Sequence, residues 1–186
     1  MSQVRFFAAL FFALILSAVL SAAEALKSGP QPGEELPSSF EPLVVTGENA
    51  GKNHCLVCEN GLNPCVMIFA RNAGEPLLKL LASVESECKK HRIESLGAFA
   101  VFLSKDTGLE KQLVDAAAVR GLEQVVLSID APEGPDGYKL AKDAEVTVVF
   151  YSRHMVKLNT AYKKDELSDD AIKKFLADVT VTLSEK

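Results

Sequence analysis

The sequence predicts an α/β protein in which helices cover both faces of a central mixed sheet. Apolar runs typical of buried strands alternate with segments of helical spacing between residues 66 and 129. Two more strand-like runs then follow each other directly before a last helix. This order predicts a sheet that is parallel at first and carries one antiparallel edge.

Five strands are predicted, most of them from continuous apolar runs. Val66–Ala70 has no polar residue, which is typical of a strand buried on both faces. The five segments are 66–70, 98–103, 124–129, 146–151 and 155–162, and residues 43–46 suit a short edge strand.

Three helices are predicted around these strands. The first begins at Glu75-Pro76, because proline is accepted in the first turn, and its apolar residues share one face: Leu77, Leu81, Val84 and Cys88. The second runs from Leu109 to Gly121, and the third follows a Ser168 cap. A helical turn or two is also expected around Tyr138–Ala141.

The N-terminus predicts an exported protein. Arg5, the apolar run 6–20 and the small residues ending at Ala25 form a signal peptide over residues 1–25. Residues 26–42 are rich in Pro, Gly, Ser and Glu, so we expect a disordered linker there. The domain then spans residues 43–186.

Length, net charge and cysteine content limit the classes of function that fit this chain. The mature chain has about 160 residues, enough to bury roughly two thirds of its unfolded surface as one domain. A net charge of −5 without a basic stripe argues against a nucleic-acid partner, and no membrane association is expected after signal cleavage. A periplasmic or secreted location allows disulfides to persist among the four cysteines.

Sulfur is concentrated in one window of the chain. Cys55 and Cys58 form a Cys-x-x-Cys pair, and Cys65 follows at the start of the first buried strand. Cys65 and Cys88 suit buried positions, the first at a strand edge and the second on an apolar helix face.

The order of elements from Leu43 to Val179 resembles the thioredoxin-like superfamily. In particular, GYKLAKDAEVTVVFYSRHMVKLNTAY, from Gly137 to Tyr162, is similar to the family's short helix followed by its last two strands. The version that it resembles has an extra helix and strand, as in peroxiredoxins and TlpA-like periplasmic proteins. This resemblance implies a three-layer α/β/α fold and chemistry at a thiol.

The chain departs from the family at the usual active site. A reactive cysteine is expected just after the first central strand, where the next helix begins, but residues 72–75 read Asn-Ala-Gly-Glu. The peroxiredoxin Thr or Ser shortly before a Cys is absent, and Glu145-Val146 replaces the family's cis-proline. Ordinary thioredoxin or peroxidase chemistry at that place is therefore disfavoured.

Two arguments about Cys55 and Cys58 point in opposite directions. A four-residue loop gains about 2 kcal/mol from a disulfide, against nearly 4 kcal/mol for about thirty residues, so the tight spacing favours redox use. However, Glu59-Asn60-Gly61 predicts a turn with an adjacent like charge. A thiol with a pKa of about 8.5 is only about 3% thiolate at pH 7. Lys52 and His54 would help only if they lie close.

Three functions are compatible with the cysteines and histidine of residues 54–65. The first is thiol–disulfide exchange with another exported protein, with Cys55 as the exposed attacking thiol and Cys58 as the resolving one, by analogy of order. The second is a non-catalytic binding or structural domain with structural disulfides. The third is copper binding by His54, Cys55, Cys58 and Cys65. No cofactor is predicted, and the sequence does not define the oligomeric state.

Overall fold

The computed structural model describes residues 26–185. Six strands form one sheet, and four helices pack on it. The predicted signal peptide at residues 1–25 lies outside the described residues. No helix in the described part has the length and apolar content needed to cross a membrane. The elements are β1 (Leu43–Val44), α1 (Leu56–Asn60), β2 (Cys65–Ala70), α2 (Glu75–Lys90), β3 (Gly97–Leu103), α3 (Leu109–Arg120), β4 (Val125–Asp130), β5 (Val146–Ser152), β6 (Met155–Tyr162) and α4 (Asp169–Ser184).

The sheet has the order β1-β4-β3-β2-β5-β6. Strands β2, β3 and β4 are parallel, and β5 pairs antiparallel with both β2 and β6. The short β1 pairs antiparallel with β4 at the other edge. The predicted mixed α/β sheet with an antiparallel edge is therefore confirmed.

The first face of the sheet carries the three long helices. Apolar residues of α2, α3 and α4 join one core cluster with the alternate residues Val66, Ile68 and Ala70 of β2. Both crossovers, β2-α2-β3 and β3-α3-β4, run in the same direction along the sheet. Because such crossovers are right-handed, they place α2 and α3 on the same face.

The second face is covered by α1 together with irregular chain. The prediction of a helical turn at Tyr138–Ala141 is wrong, because residues 131–145 form successive turns instead. Gly134 and Gly137 have φ of 76° and 82°, a left-handed backbone that does not continue a helix. Arg71, directly after β2, donates hydrogen bonds of 2.8 to 3.2 Å to three carbonyls of this loop: those of Pro132, Ala141 and Ala144.

Residues 26–42 differ from the expected disordered linker, because they form an ordered strap across the second face. Ser28 is fully buried, and its hydroxyl shares a hydrogen bond of 2.7 Å with Thr147 of β5. Asn159 of β6 donates from its amide to the carbonyls of Ser28 and Pro30, each at 2.8 Å. The strap is polar in composition, so its order depends on these hydrogen bonds more than on its own apolar area.

The strap also contributes aromatic packing. The Phe40 ring packs edge-on against Tyr138 with centroids 5.1 Å apart, and Tyr138 packs in the same way on Phe69 of β2 at 5.4 Å. Tyr138 is fully buried and its hydroxyl donates to the carbonyl of Ser38 at 3.1 Å. The strap, the 131–145 loop and the sheet therefore share one apolar cluster.

Replacing Asn159 with Ala tests the strap. Loss of two hydrogen bonds should cost about 1–3 kcal/mol and loosen residues 28–36. We expect faster hydrogen exchange at the Val156 amide, which donates to the Glu34 carbonyl at 2.9 Å. Asn63→Ala, at an exposed position, serves as the control. Equal exchange in both variants would show that Asn159 does not hold the strap.

A buried carboxylate joins α2 to the start of β4. Glu85 is only 4% exposed, and its Oε2 accepts the amides of Gln124 and Val125 at 2.8 and 2.9 Å. Lys89 Nζ lies 3.0 Å from its other oxygen. Burial alone raises the pKa of Glu85, but the amides of Val125 and Gln124 together with Lys89 outweigh it, so the net pKa is lowered.

This lowered pKa predicts a specific loss of stability in acid. The unfolded chain binds a proton at Glu85 near the ordinary glutamate pKa of about 4.3, whereas the folded chain binds it only at lower pH. The stabilisation is therefore complete above that value and is lost as the pH falls through the folded pKa. Urea unfolding of Glu85→Gln should show about 1–3 kcal/mol lower stability at pH 7 and a weaker decline below pH 4.5. Glu110→Gln, an exposed exchange, should retain the wild-type pH profile.

Candidate functional site

Cys55 and Cys58 are joined by a disulfide at the beginning of α1, with Cα atoms 5.2 Å apart. Cys55 is the N-cap residue, and its Sγ accepts the backbone N–H of Cys58 at 3.0 Å. A five-residue helix is not stable alone. Here α1 is fixed by the disulfide, by burial of Leu56 and Val57, and by Gly61, whose φ of 55° ends the helix.

Cys55 and Cys58 differ in exposure, and the difference is the reverse of the one predicted from the sequence. Cys55 is 9% exposed and belongs to the apolar cluster of the second face, whereas Cys58 is exposed. The reason is the helical turn: Leu56 and Val57 face the sheet, and Cys58 and Glu59 come next on the solvent side. The expectation that Cys55 is the more exposed thiol is therefore corrected.

The charges beside the disulfide are centred on Glu59. His54 Nε2 lies 2.7 Å from Glu59 Oε2, and the Asn49 amide donates to the same oxygen at 3.3 Å. The imidazole therefore contacts the carboxylate next to Cys58. Lys52 is exposed and forms no ion pair within the described residues. Of the two residues that could assist the thiols, His54 therefore contacts Glu59 and not a sulfur.

The other two cysteines are reduced and buried on opposite faces of the sheet. Cys65 begins β2 and lies with the second-face cluster, and Cys88 lies on α2 with the first-face cluster. Burial raises the pKa of the Cys65 thiol far above its ordinary value, despite the nearby Tyr151 hydroxyl. Burial, with Glu85 and Glu87 nearby, raises the pKa of Cys88 to about 12. Both side chains are therefore thiols at neutral pH, and they do not form a disulfide with each other. The prediction that Cys65 and Cys88 are core residues is confirmed.

The donor set expected for copper is not assembled. Among residues 26–185, no group of three or more His, Cys, Asp or Glu side chains is arranged to hold a metal ion. Cys55 and Cys58 are bonded to each other, and Cys65 is fully buried. His54 is directed at Glu59. The copper alternative therefore has no support in this arrangement.

The usual active-site position of the thioredoxin-like fold lies at the other end of β2. There Asn72 Oδ1 accepts the Gly74 amide at 3.0 Å, just before the first turn of α2. A cleft of about 320 Å³ opens beside it, bordered by Glu145, Lys164 and Asp165 but by no cysteine. The length of β2, roughly 17 Å, separates this place from the disulfide.

Sequence reasoning missed two features around the disulfide. Gly97 at the start of β3 lies against Asn60, and a Cβ at Gly97 would overlap Asn60 Oδ1. A glycine at a strand end is the signal for such an approach. In addition, a cleft of about 680 Å³ lies at the same end of the sheet, where Pro64, Arg153 and Leu183 border it. Its lining comes from three distant segments, so no local pattern predicts it.

The solved structures similar to this chain share the same fold. A protein from Chlorobium tepidum, provisionally described as a thiol:disulfide interchange protein DsbE, has a TM-score of 0.58 and 14% identity, covering 86% of this chain and 99% of that one. A thiol peroxidase from Chromobacterium violaceum has a TM-score of 0.57 and 16% identity, covering 85% and 92%. An uncharacterised conserved protein from Geobacillus kaustophilus has a TM-score of 0.60 and 12% identity, covering 88% and 85%.

These similarities establish the thioredoxin-like fold. No protein-family model and no curated relative matches the sequence. At identities of 12 to 16% the likeness defines the architecture and not the chemistry. The chain thus has the thioredoxin-like fold, and its disulfide lies away from that fold's usual reactive position.

The Gly97–Asn60 contact predicts a specific coupling. Gly97→Ala should displace the Asn60 side chain, break its 2.8 Å hydrogen bond to the Leu56 carbonyl and lower stability by about 1–3 kcal/mol. Because Asn60→Ala removes the overlapping atom, the double variant should be less destabilised than the sum of the single changes. Thermal unfolding of the four proteins measures this. Strict additivity would contradict the contact.

Proposed function

We propose that the protein is exported and exchanges disulfides with thiols of another exported protein through Cys55 and Cys58. The observation that carries the proposal is the asymmetry of the pair. Cys58 is an exposed residue, whereas Cys55 is buried at a helix N-cap, where its Sγ accepts an amide hydrogen bond. An exposed sulfur can be attacked, and a hydrogen-bonded one leaves more readily as a thiolate.

The reaction is a pair of exchange steps. A partner thiolate attacks Cys58 Sγ, the Cys55–Cys58 bond breaks, and a mixed disulfide forms at Cys58. The electron pair of the broken bond remains on Cys55 Sγ, which becomes a thiolate beside the Cys58 amide. A second partner thiol then attacks the partner sulfur of the mixed disulfide. The partner leaves oxidised, and Cys58 is released reduced.

The comparisons support this proposal in a limited way. The Chlorobium tepidum structure is provisionally described as a thiol:disulfide interchange protein, and one from Bacteroides thetaiotaomicron is provisionally described as a protein disulfide isomerase. Another similar structure is titled a secreted disulfide oxidoreductase of Mycobacterium tuberculosis. These names concern those proteins. A periplasmic or secreted location for this chain is part of the proposal, together with the predicted signal peptide.

A second candidate is a non-catalytic thioredoxin-fold domain in which the disulfide is structural. The burial of Cys55 among Leu56 and Val57 favours it, because the bond then fixes α1 on the second face. The two candidates differ in redox potential. A structural disulfide has a potential below about −300 mV, whereas an exchanging pair is higher.

Single serine variants test the proposed order of the sulfurs. Cys55→Ser leaves the exposed Cys58 as a free thiol, and we expect it to form a mixed disulfide with oxidised glutathione at least about tenfold faster than Cys58→Ser. The reason is that Cys58→Ser leaves only the buried Cys55. Mass spectrometry of quenched samples measures the rate, and thermal unfolding shows that both variants are folded.

Two outcomes decide between the candidates. Equal trapping rates in the folded variants would contradict Cys58 as the exchanging sulfur. A wild-type potential below −300 mV, with a lower melting temperature on reduction, would support the structural disulfide.

A further inference from the structure

We infer that Glu59 makes this disulfide selective for cationic thiol partners over anionic ones. The inference rests on the proposed exchange at Cys58 and concerns the class of partner. Its basis is the position of one carboxylate beside the exposed sulfur and the contacts that hold it there.

Glu59 follows Cys58 directly on α1, and both are exposed. Consecutive Cα atoms are about 3.8 Å apart, so the two side chains lie within about one Debye length at 0.1 M salt. The carboxylate is also held in place, since His54 Nε2 lies 2.7 Å from Oε2 and the Asn49 amide donates to that oxygen at 3.3 Å. A held charge acts on an approaching group more consistently than one on a free side chain.

Glu59 is the acidic residue next to a cysteine within residues 54–65, and His54 is the group that contacts its carboxylate. The preceding loop also bears Glu48 and Lys52, which are exposed and have no ion pair in the described part of the chain. These two cancel each other in net charge. Neither is adjacent to a sulfur in sequence, whereas Glu59 is.

The attacking group is itself negative. As a thiolate approaches Cys58, negative charge spreads over the attacking, central and leaving sulfurs, and the Glu59 carboxylate opposes it. A partner with an ammonium or guanidinium group beside its cysteine offsets this repulsion by pairing with Glu59. A partner with a carboxylate there adds to it. The expected partner segment is therefore a cysteine flanked by Lys or Arg.

Small thiols of matched size test the inference in the intact protein. Cysteamine, 2-mercaptoethanol and 3-mercaptopropionate carry a positive, neutral and negative group, and rate constants are compared per thiolate at one pH. One unit charge a few ångströms away in water changes a rate roughly two- to fivefold. We expect Glu59→Gln to leave cysteamine nearly unchanged, to accelerate 2-mercaptoethanol about two- to fivefold, and to accelerate 3-mercaptopropionate more, so that the ratio of cysteamine to 3-mercaptopropionate rates falls.

Glu48→Gln is the matched control, because it removes the same charge from an exposed residue that is not next to a cysteine in sequence. Its ratio of cysteamine to 3-mercaptopropionate rates should equal that of the wild type. The effect of Glu59→Gln should also shrink at 1 M salt, where the Debye length is about 3 Å.

The outcomes separate this inference from the proposed function. The three thiols could all reduce the disulfide with a ratio of rates that is the same in Glu59→Gln and in the wild type. That result would overturn the charge selection while leaving exchange at Cys58 intact. A native disulfide that resists all three thiols would overturn both. A ratio that shifts equally in Glu48→Gln would assign the selectivity to net charge and overturn the role of Glu59.

Discussion

The constraint on which this structure depends is that, within residues 26–185, no long helix packs on the second face of the sheet. Residues such as Met67, Phe69 and Val149 are fully or almost fully buried there, so other parts of the chain must cover them. Irregular chain brings unpaired amides and carbonyls with it, and each buried one has to be satisfied. Arg71 does this for the 131–145 loop and Asn159 for the strap. The disulfide fixes the remaining segment, α1, on the same face.

The same constraint bears on the position of the Cys55–Cys58 disulfide. At the usual reactive position the Gly74 amide already donates to Asn72 Oδ1, and the first turn of α2 has no cysteine. The Cys-x-x-Cys pair instead stands at the start of β2, where the chain must turn from covering the second face to entering the sheet. One bond in this place can both hold α1 and present a sulfur to solvent. Stabilisation and exchange are therefore compatible roles for the same pair.

The sequence predicts the parts of the fold that obey a period. Val66–Ala70 and the apolar face from Leu77 to Cys88 reappear as β2 and α2, because burial of a strand or a helix face imposes a repeating pattern. The strap has no such pattern. Its order comes from contacts such as Ser28–Thr147, 119 residues apart, which composition does not reveal. For the same reason the spacing of Cys55 and Cys58 singles out the pair without defining its role, and only the packing of Leu56 and Val57 decides which of the two residues is exposed.

The pairing of the strap with β6 has a consequence for self-association. Strand β6 is the last strand of the sheet, and such a strand offers free amides and carbonyls to any other extended chain. Gly33 and Glu34 take up the outward groups of Val156, while the opposite edge ends in the two-residue β1. The strap thus covers the Val156 position of β6, and the border at the opposite edge is only two residues long. The strap thereby shortens the stretch of β6 that a second extended chain could join.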